Sequence, residues 1–154
     1  MKAKDIMSKN IISVKGTATI EEIAQVFVDN HISGVPVVDD NGDLVGIVTE
    51  GDLIHKKTSP RAPSVLSILG ATIYVQGVHQ YRDDFAKLLA MSAHDIMNSE
   101  VITVTPDTGV AEIADIFVKK NINRVPVIGK DGKMVGIVSR EDIIRSLLMP
   151  DEKN

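Results

Sequence analysis

Two stretches decide the reading of this chain: GIVTEGD at 46–52 and GIVSRED at 136–142. Each is a short apolar run that ends in a hydroxyl residue, followed by two variable positions and an aspartate. They lie 90 positions apart, and the same offset lays residues 5–54 on residues 95–144 without a gap. DIM meets DIM, EIAQVFV meets EIADIFV, ISGVPVV meets INRVPVI, and NGDLVGIVT meets DGKMVGIVS. Of the 50 paired positions, 21 are identical, so the chain is read as an internal duplication.

Each copy predicts a β-α-β-β-α unit. NIISV (10–14) and EVITV (100–104) read as short β-branched strands. A helix follows over about 20–30, where Ile20, Ile23, Ala24, Phe27 and Val28 share one face at i, i+3, i+4, i+7, i+8 spacing. Thr19 with Glu22 makes a capping box at its start, and Gly109 stands at that N-cap in the second copy. VPVV, a turn holding Asn41-Gly42 or Asp131-Gly132, and LVGIV or MVGIV read as a hairpin. The unbroken apolar run 44–48 predicts a strand covered on both faces. A second helix starts near Asp52 and Asp142. The boundaries drawn from the repeat are 1–57 for the first unit, 58–91 for an insert with a leading helix, 92–149 for the second unit and 150–154 for a tail. About 50 residues bury little alone, so two copies packed about a pseudo-two-fold axis are expected to cover each other's sheets.

Composition narrows the function. The chain has 154 residues, 44% apolar and 3% aromatic, so its core is built from Ile, Val, Leu, Met and Ala. A net charge of −4 gives no general electrostatic grip on nucleic acid or anionic lipid, and Lys56, Lys57 and Arg61 form the one basic cluster. No cysteine is present, which excludes disulfides and thiolate chemistry and suits a reducing cytoplasm. The first ten residues carry no apolar region of a signal peptide, and the uncharged stretch 62–81 is too polar to insert in a membrane. The insert's apolar part, 64–75, reads either as packing on its own repeats or as a contact surface. His31, His55, His79 and His94 lack metal-binding spacing, and no phosphate-binding glycine loop or nucleophile elbow is found. The reading is therefore no enzyme, no metal and no catalytic cofactor.

The hydroxyl-x-x-Asp phrase has two readings. Thr49 with Asp52, and Ser139 with Asp142, make capping boxes. The same geometry also suits a ligand: a helix start favours an anion, and a carboxylate can accept from two neighbouring hydroxyls of a ribose. Repetition of the phrase in register favours the second reading.

The two copies resemble CBS domains, the modules named after cystathionine β-synthase, paired as in a Bateman module of the free-standing bacterial and archaeal type. The resemblance rests on DIM, on I-x-x-V-P-V (32–37, and Ile122 with Asn123, Arg124, Val125, Pro126 and Val127) and on G-I-V-[ST]-x-x-D. It implies non-catalytic regulation. Adenosine-type ligands (AMP, ADP, ATP or S-adenosylmethionine) would bind in two clefts between the copies, reporting energy or metabolite status to an unknown effector protein. It also implies a homodimer. Carried over, one cleft would combine Thr49, Gly51 and Asp52 with Ile102, Ile122, Asn123 and Arg124. The other would combine Ser139, Glu141 and Asp142 with Ile12, Ile32, Ser33 and Gly34. Met7 and Met97 would line the base or simply fill core. Arg124 suits phosphate oxygens, or a surface ion pair, whereas Glu141 adds a like charge; the Asp52 cleft is thus expected to take the more anionic ligand. The alternative is a ligand-free dimerisation scaffold.

Overall fold

The computed structural model describes residues 1–54, 86 and 89–149. The insert's linker, its apolar run, the basic cluster, His55, His79 and most of its leading helix lie outside the described residues. In chain order the elements are α1 (Ala3–Ile6), β1 (Val14–Lys15), α2 (Ile20–Asn30), β2 (Gly34–Val38), β3 (Leu44–Thr49), α3 (Glu50–Ile54), α4 (Ala93–Ile96), α5 (Val110–Lys120), β4 (Arg124–Ile128), β5 (Met134–Ser139) and α6 (Arg140–Ser146).

The repeat is visible element by element. Thr19 caps α2 as expected: its N–H donates to Glu22 Oε2 at 2.8 Å, and Glu22 N–H donates to Thr19 Oγ1 at 3.2 Å. Gly109 caps α5 through its backbone conformation alone. The helices end on His31 and Asn121, whose φ of 52° and 51° let their N–H groups close onto the last turn. In the hairpins, φ of 80° at Gly42 and 77° at Gly132 is the left-handed conformation that a side chain disfavours. β4 and β5 are antiparallel, with Arg124 opposite Ser139 and Val127 opposite Gly136; β1 pairs parallel to β2.

Three expectations are corrected. The first strand is only Val14–Lys15, and in the second copy only Val104 bridges, to Val127. Ahead of β1, Ile11 N–H donates to Lys9 O at 3.1 Å in a turn instead of a ladder, and Ser8 exchanges backbone hydrogen bonds with Ile137. The run 44–49 is not covered on both faces: Gly46 and Val48 are buried, while Leu44, Val45 and Ile47 are half-buried. Val28 leaves the buried face of α2 with 68% of its surface exposed, as does Val118 in α5 at 79%. Ile20, Ile23 and Phe27 form a narrower buried stripe.

The compact units divide the chain along other lines than the repeat. Unit 1 comprises Met1–Ile12, Gly42–Leu44 and Val101–Asn154; unit 2 comprises Ser13–Asn41 and Val45–Glu100. Each copy's Asp-Ile-Met segment is thus a strap that completes the other copy. In unit 1, Ala3 and Ile6 join Val104, Ile113, Phe117, Val125, Val127 and Val138 in one core, with Met7 packed against it. Ala3 N–H donates to Thr108 O at 2.8 Å. The turn residue Asp43 pairs with Lys133 Nζ at 2.5 Å. Unit 2 repeats the device: Ala93 N–H donates to Ala18 O at 2.7 Å, and Ile47 and Asn98 exchange backbone hydrogen bonds of 3.0 and 2.9 Å.

The aspartate of each strap caps its own short helix. Asp5 Oδ2 accepts from Lys2 N–H at 2.7 Å. Asp95 Oδ2 accepts from the N–H and hydroxyl of Ser92 at 2.8 and 2.9 Å. The methionines that follow lie on strand glycines: a β-carbon at Gly46 would stand 2.4 Å from Met97 Sδ, and one at Gly136 would stand 2.5 Å from Met7 Sδ.

Two outcomes follow. Gly46→Ala should cost about 1–3 kcal/mol in urea unfolding, because the methyl overpacks against Met97. Combined with Met97→Ala, the loss should fall short of the sum of the two single losses; strict additivity would contradict the contact. The Ser92 N–H, and then its hydroxyl, hold the Asp95 carboxyl below the ordinary carboxylate range. That stabilisation is complete above the unfolded-state value, near pH 4, and fades as pH falls through the depressed folded value. The stability gap between wild type and Asp95→Asn should therefore be open at pH 6 and closed by about pH 2, read from urea midpoints. A gap independent of pH would contradict it.

Candidate functional site

Each hairpin delivers its second strand directly into a helix, and the junction carries the hydroxyl-x-x-Asp phrase. In unit 1, Asp142 Oδ2 accepts from both the N–H and the hydroxyl of Ser139 at 2.7 Å, and Asp142 N–H donates to Ser139 Oγ at 3.3 Å. In unit 2, Asp52 Oδ2 accepts from the N–H and hydroxyl of Thr49 at 2.8 and 3.0 Å. The reciprocal capping box therefore closes at Ser139 and Asp142, while Thr49 and Asp52 make only its carboxylate half among the described residues. Each aspartate uses one carboxylate oxygen: Oδ1 of Asp52 and of Asp142 accepts no hydrogen bond from the described residues. Both aspartates are half-buried at the end of a strand that runs into the core.

Ser92 and Asp95 close the same geometry, yet Asp95 is exposed on a four-residue helix. Spacing alone therefore does not mark a site. What separates Asp52 and Asp142 is their partial burial and the I-x-x-V-P segment beside them. Glu50 N–H donates to Ser33 O at 2.9 Å, and Arg140 N–H donates to Asn123 O at 3.0 Å. These bonds place Ser33 against the start of α3 and Asn123 against the start of α6.

Each unit thus gathers part of the expected residues. Unit 2 holds Ile32, Ser33, Gly34, Thr49, Gly51, Asp52 and Met97; unit 1 holds Met7, Ile12, Ile102, Ile122, Asn123, Arg124, Ser139, Glu141 and Asp142. Within unit 1, Arg124 stands directly across from Ser139, so their side chains share a face of the hairpin. Glu141 turns to Arg145 in an exposed ion pair of 2.6 Å, which offsets the negative charge expected there. A β-carbon at Gly51 would meet only Thr49 Oγ1, at 3.6 Å, so packing within its unit does not demand glycine.

Sequence reasoning had placed both methionines near a base without assigning them. The structure seats Met97 on the strand leading to Thr49 and Met7 on the strand leading to Ser139. The signal was the glycine inside each apolar run, a common mark of close approach by another group. Among the described residues no cluster of three or more His, Cys, Asp or Glu could hold a metal ion, and no helix is long and apolar enough to cross a membrane.

The model of the CBS domain matches residues 3–58 and 93–149. An uncharacterised protein of Methanocaldococcus jannaschii is 32% identical over 155 residues, covering 96% of this chain and 92% of its own. CBSX2, a chloroplast protein of Arabidopsis thaliana, is 26% identical, and this chain spans 60% of its length. Its structure in complex with AMP superposes with a TM-score of 0.70 at 23% identity, over 96% of both chains, which shows the shared fold. The CBS domain pair of protein MJ0100, in complex with 5-methylthioadenosine and S-adenosyl-L-methionine, superposes with a TM-score of 0.69 at 29% identity, covering 96% of this chain and 95% of that one. The chain belongs to the CBS domain family, as a tandem pair of the α/β fold.

Proposed function

We propose that this protein is a regulatory, non-catalytic module that binds adenosine-type ligands and passes their occupancy to a partner protein. The observation that carries the reading is the half-used carboxylate. Asp52 and Asp142 each spend one oxygen on locking the strand–helix junction, and the other carries no protein hydrogen bond among the described residues. A fixed, half-buried carboxylate with a free oxygen suits a pair of neighbouring ribose hydroxyls. Similar proteins hold AMP, or 5-methylthioadenosine and S-adenosylmethionine, which supports the adenosine class.

The two half-sites differ where Gly34 faces Arg124 in the repeat and Gly51 faces Glu141. We assign the unequal phosphate affinity to Arg124, a forked cation at the position where the first copy has Gly34. A homodimer belongs to the same reading. It is supported by exposed Val118, Ile144, Leu147 and Leu148, apolar side chains on and just after the helices of unit 1. A ligand acts on such an assembly only by binding one arrangement better than another, so output requires differential affinity.

Calorimetric titration with AMP, ATP and S-adenosylmethionine tests this. Wild type should show saturable binding in two unequal classes. Asp52→Ala and Asp142→Ala should each remove one class, weakening it about 10–100-fold for the loss of hydrogen bonds to a charged group. Arg124→Ala should weaken AMP and ATP more than S-adenosylmethionine. The absence of binding to all three ligands by natively folded, ligand-free protein would favour the scaffold alternative. One class of equivalent sites would remove the asymmetry.

A further inference from the structure

The two straps dock through the same backbone hydrogen bonds but through different side chains. Lys4 N–H donates to Pro106 O at 3.0 Å, and His94 N–H donates to Gly16 O at 3.0 Å; these are equivalent residues of the two copies. Over that shared frame the side chains are matched in pairs. The imidazole of His94 lies over Gly16, where a β-carbon would stand 2.0 Å from Nε2. The residue equivalent to Gly16 is Pro106, which carries the β-carbon that Gly16 lacks. Lys2 and Lys4 instead reach Asp107 at 3.1 and 3.0 Å. The residue equivalent to Asp107 is Thr17, which offers no charge. The turns show the same matching: Asp43 pairs with its own repeat equivalent, Lys133. Like copies would put Asp against Asp, or Lys against Lys.

We infer that these side chains form a key, so that each strap surface accepts the strap of the opposite copy and rejects that of its own. The strap of the first copy, with two lysines, fits only the surface carrying Asp107. The strap of the second copy, with His94, fits only the surface that has a glycine at position 16. The partner that each surface recognises is the other half of the duplication. Backbone complementarity provides attachment, and steric and charge mismatch provide selection. Selection is needed because 21 of 50 positions are identical, so apolar contacts alone would scarcely distinguish the two straps.

Transposing the straps in the full chain tests the key. A variant carrying Lys2→Ser, Lys4→His, Ser92→Lys and His94→Lys keeps the composition of the straps nearly unchanged but places each on the wrong surface. Its melting temperature should fall by about 4–8 °C, from one steric clash and lost ion pairs in a chain of this size. Amides of Ala3, Lys4, Ala93 and His94 should exchange faster with deuterium. Adding Thr17→Asp, Pro106→Gly and Asp107→Thr re-matches the surfaces and should restore stability and protection, and it should restore folding if the first variant fails to fold. A strap-transposed protein that melts and exchanges like wild type would overturn the inference. So would a re-matched variant no more stable than the transposed one.

Discussion

The structure depends on a reciprocal clasp. Neither copy's hairpin is completed by its own Asp-Ile-Met segment; Ser8 bridges Ile137, and Asn98 bridges Ile47. Each strap adds a buried alanine and isoleucine to its host's core, together with backbone hydrogen bonds that its host's strand could not otherwise make. The strand so held is the one that ends in Thr49 or Ser139. Position and rigidity of the half-used carboxylate therefore trace back to a segment of the other copy, the one ending in Met97 for Asp52 and the far more distant one ending in Met7 for Asp142.

Glycine and methionine form the working pair of that clasp. Gly46 and Gly136 leave the strand surface open, and a thioether lies across it. Methionine suits this place because its unbranched, polarizable side chain follows an irregular surface. Packing of this kind agrees with the core-filling role weighed for Met7 and Met97.

Local features were legible in the sequence and exchanged ones were not. The capping box of Thr19 and Glu22, the glycine turns and the span of α2 follow from chemistry within a few residues, and each stands where the pattern puts it. The phrase ending in Asp52 and Asp142 was legible as a local turn between strand and helix, and its hydrogen bonds close there. The clasp left no such mark, since a strap docked on its own copy and one docked on the other share the same repeat pattern. The contraction of β1 was not legible either: ahead of Val14, Ile11 N–H turns back to Lys9 O rather than joining a ladder. Val28 was misplaced because helical spacing gives a face but not its width.

The central claim is that a carboxylate oxygen left over from a helix cap receives a ribose diol. Competition between AMP and 2′,3′-dideoxy-AMP, measured on the wild-type protein at fixed ionic strength, addresses it directly. The phosphate and base are the same in both, so only the diol differs. The account predicts that the dideoxy compound binds about 10–100-fold more weakly. Equal affinity for the two would show that the sugar hydroxyls are not held by Asp52 or Asp142, and would contradict the account at its root.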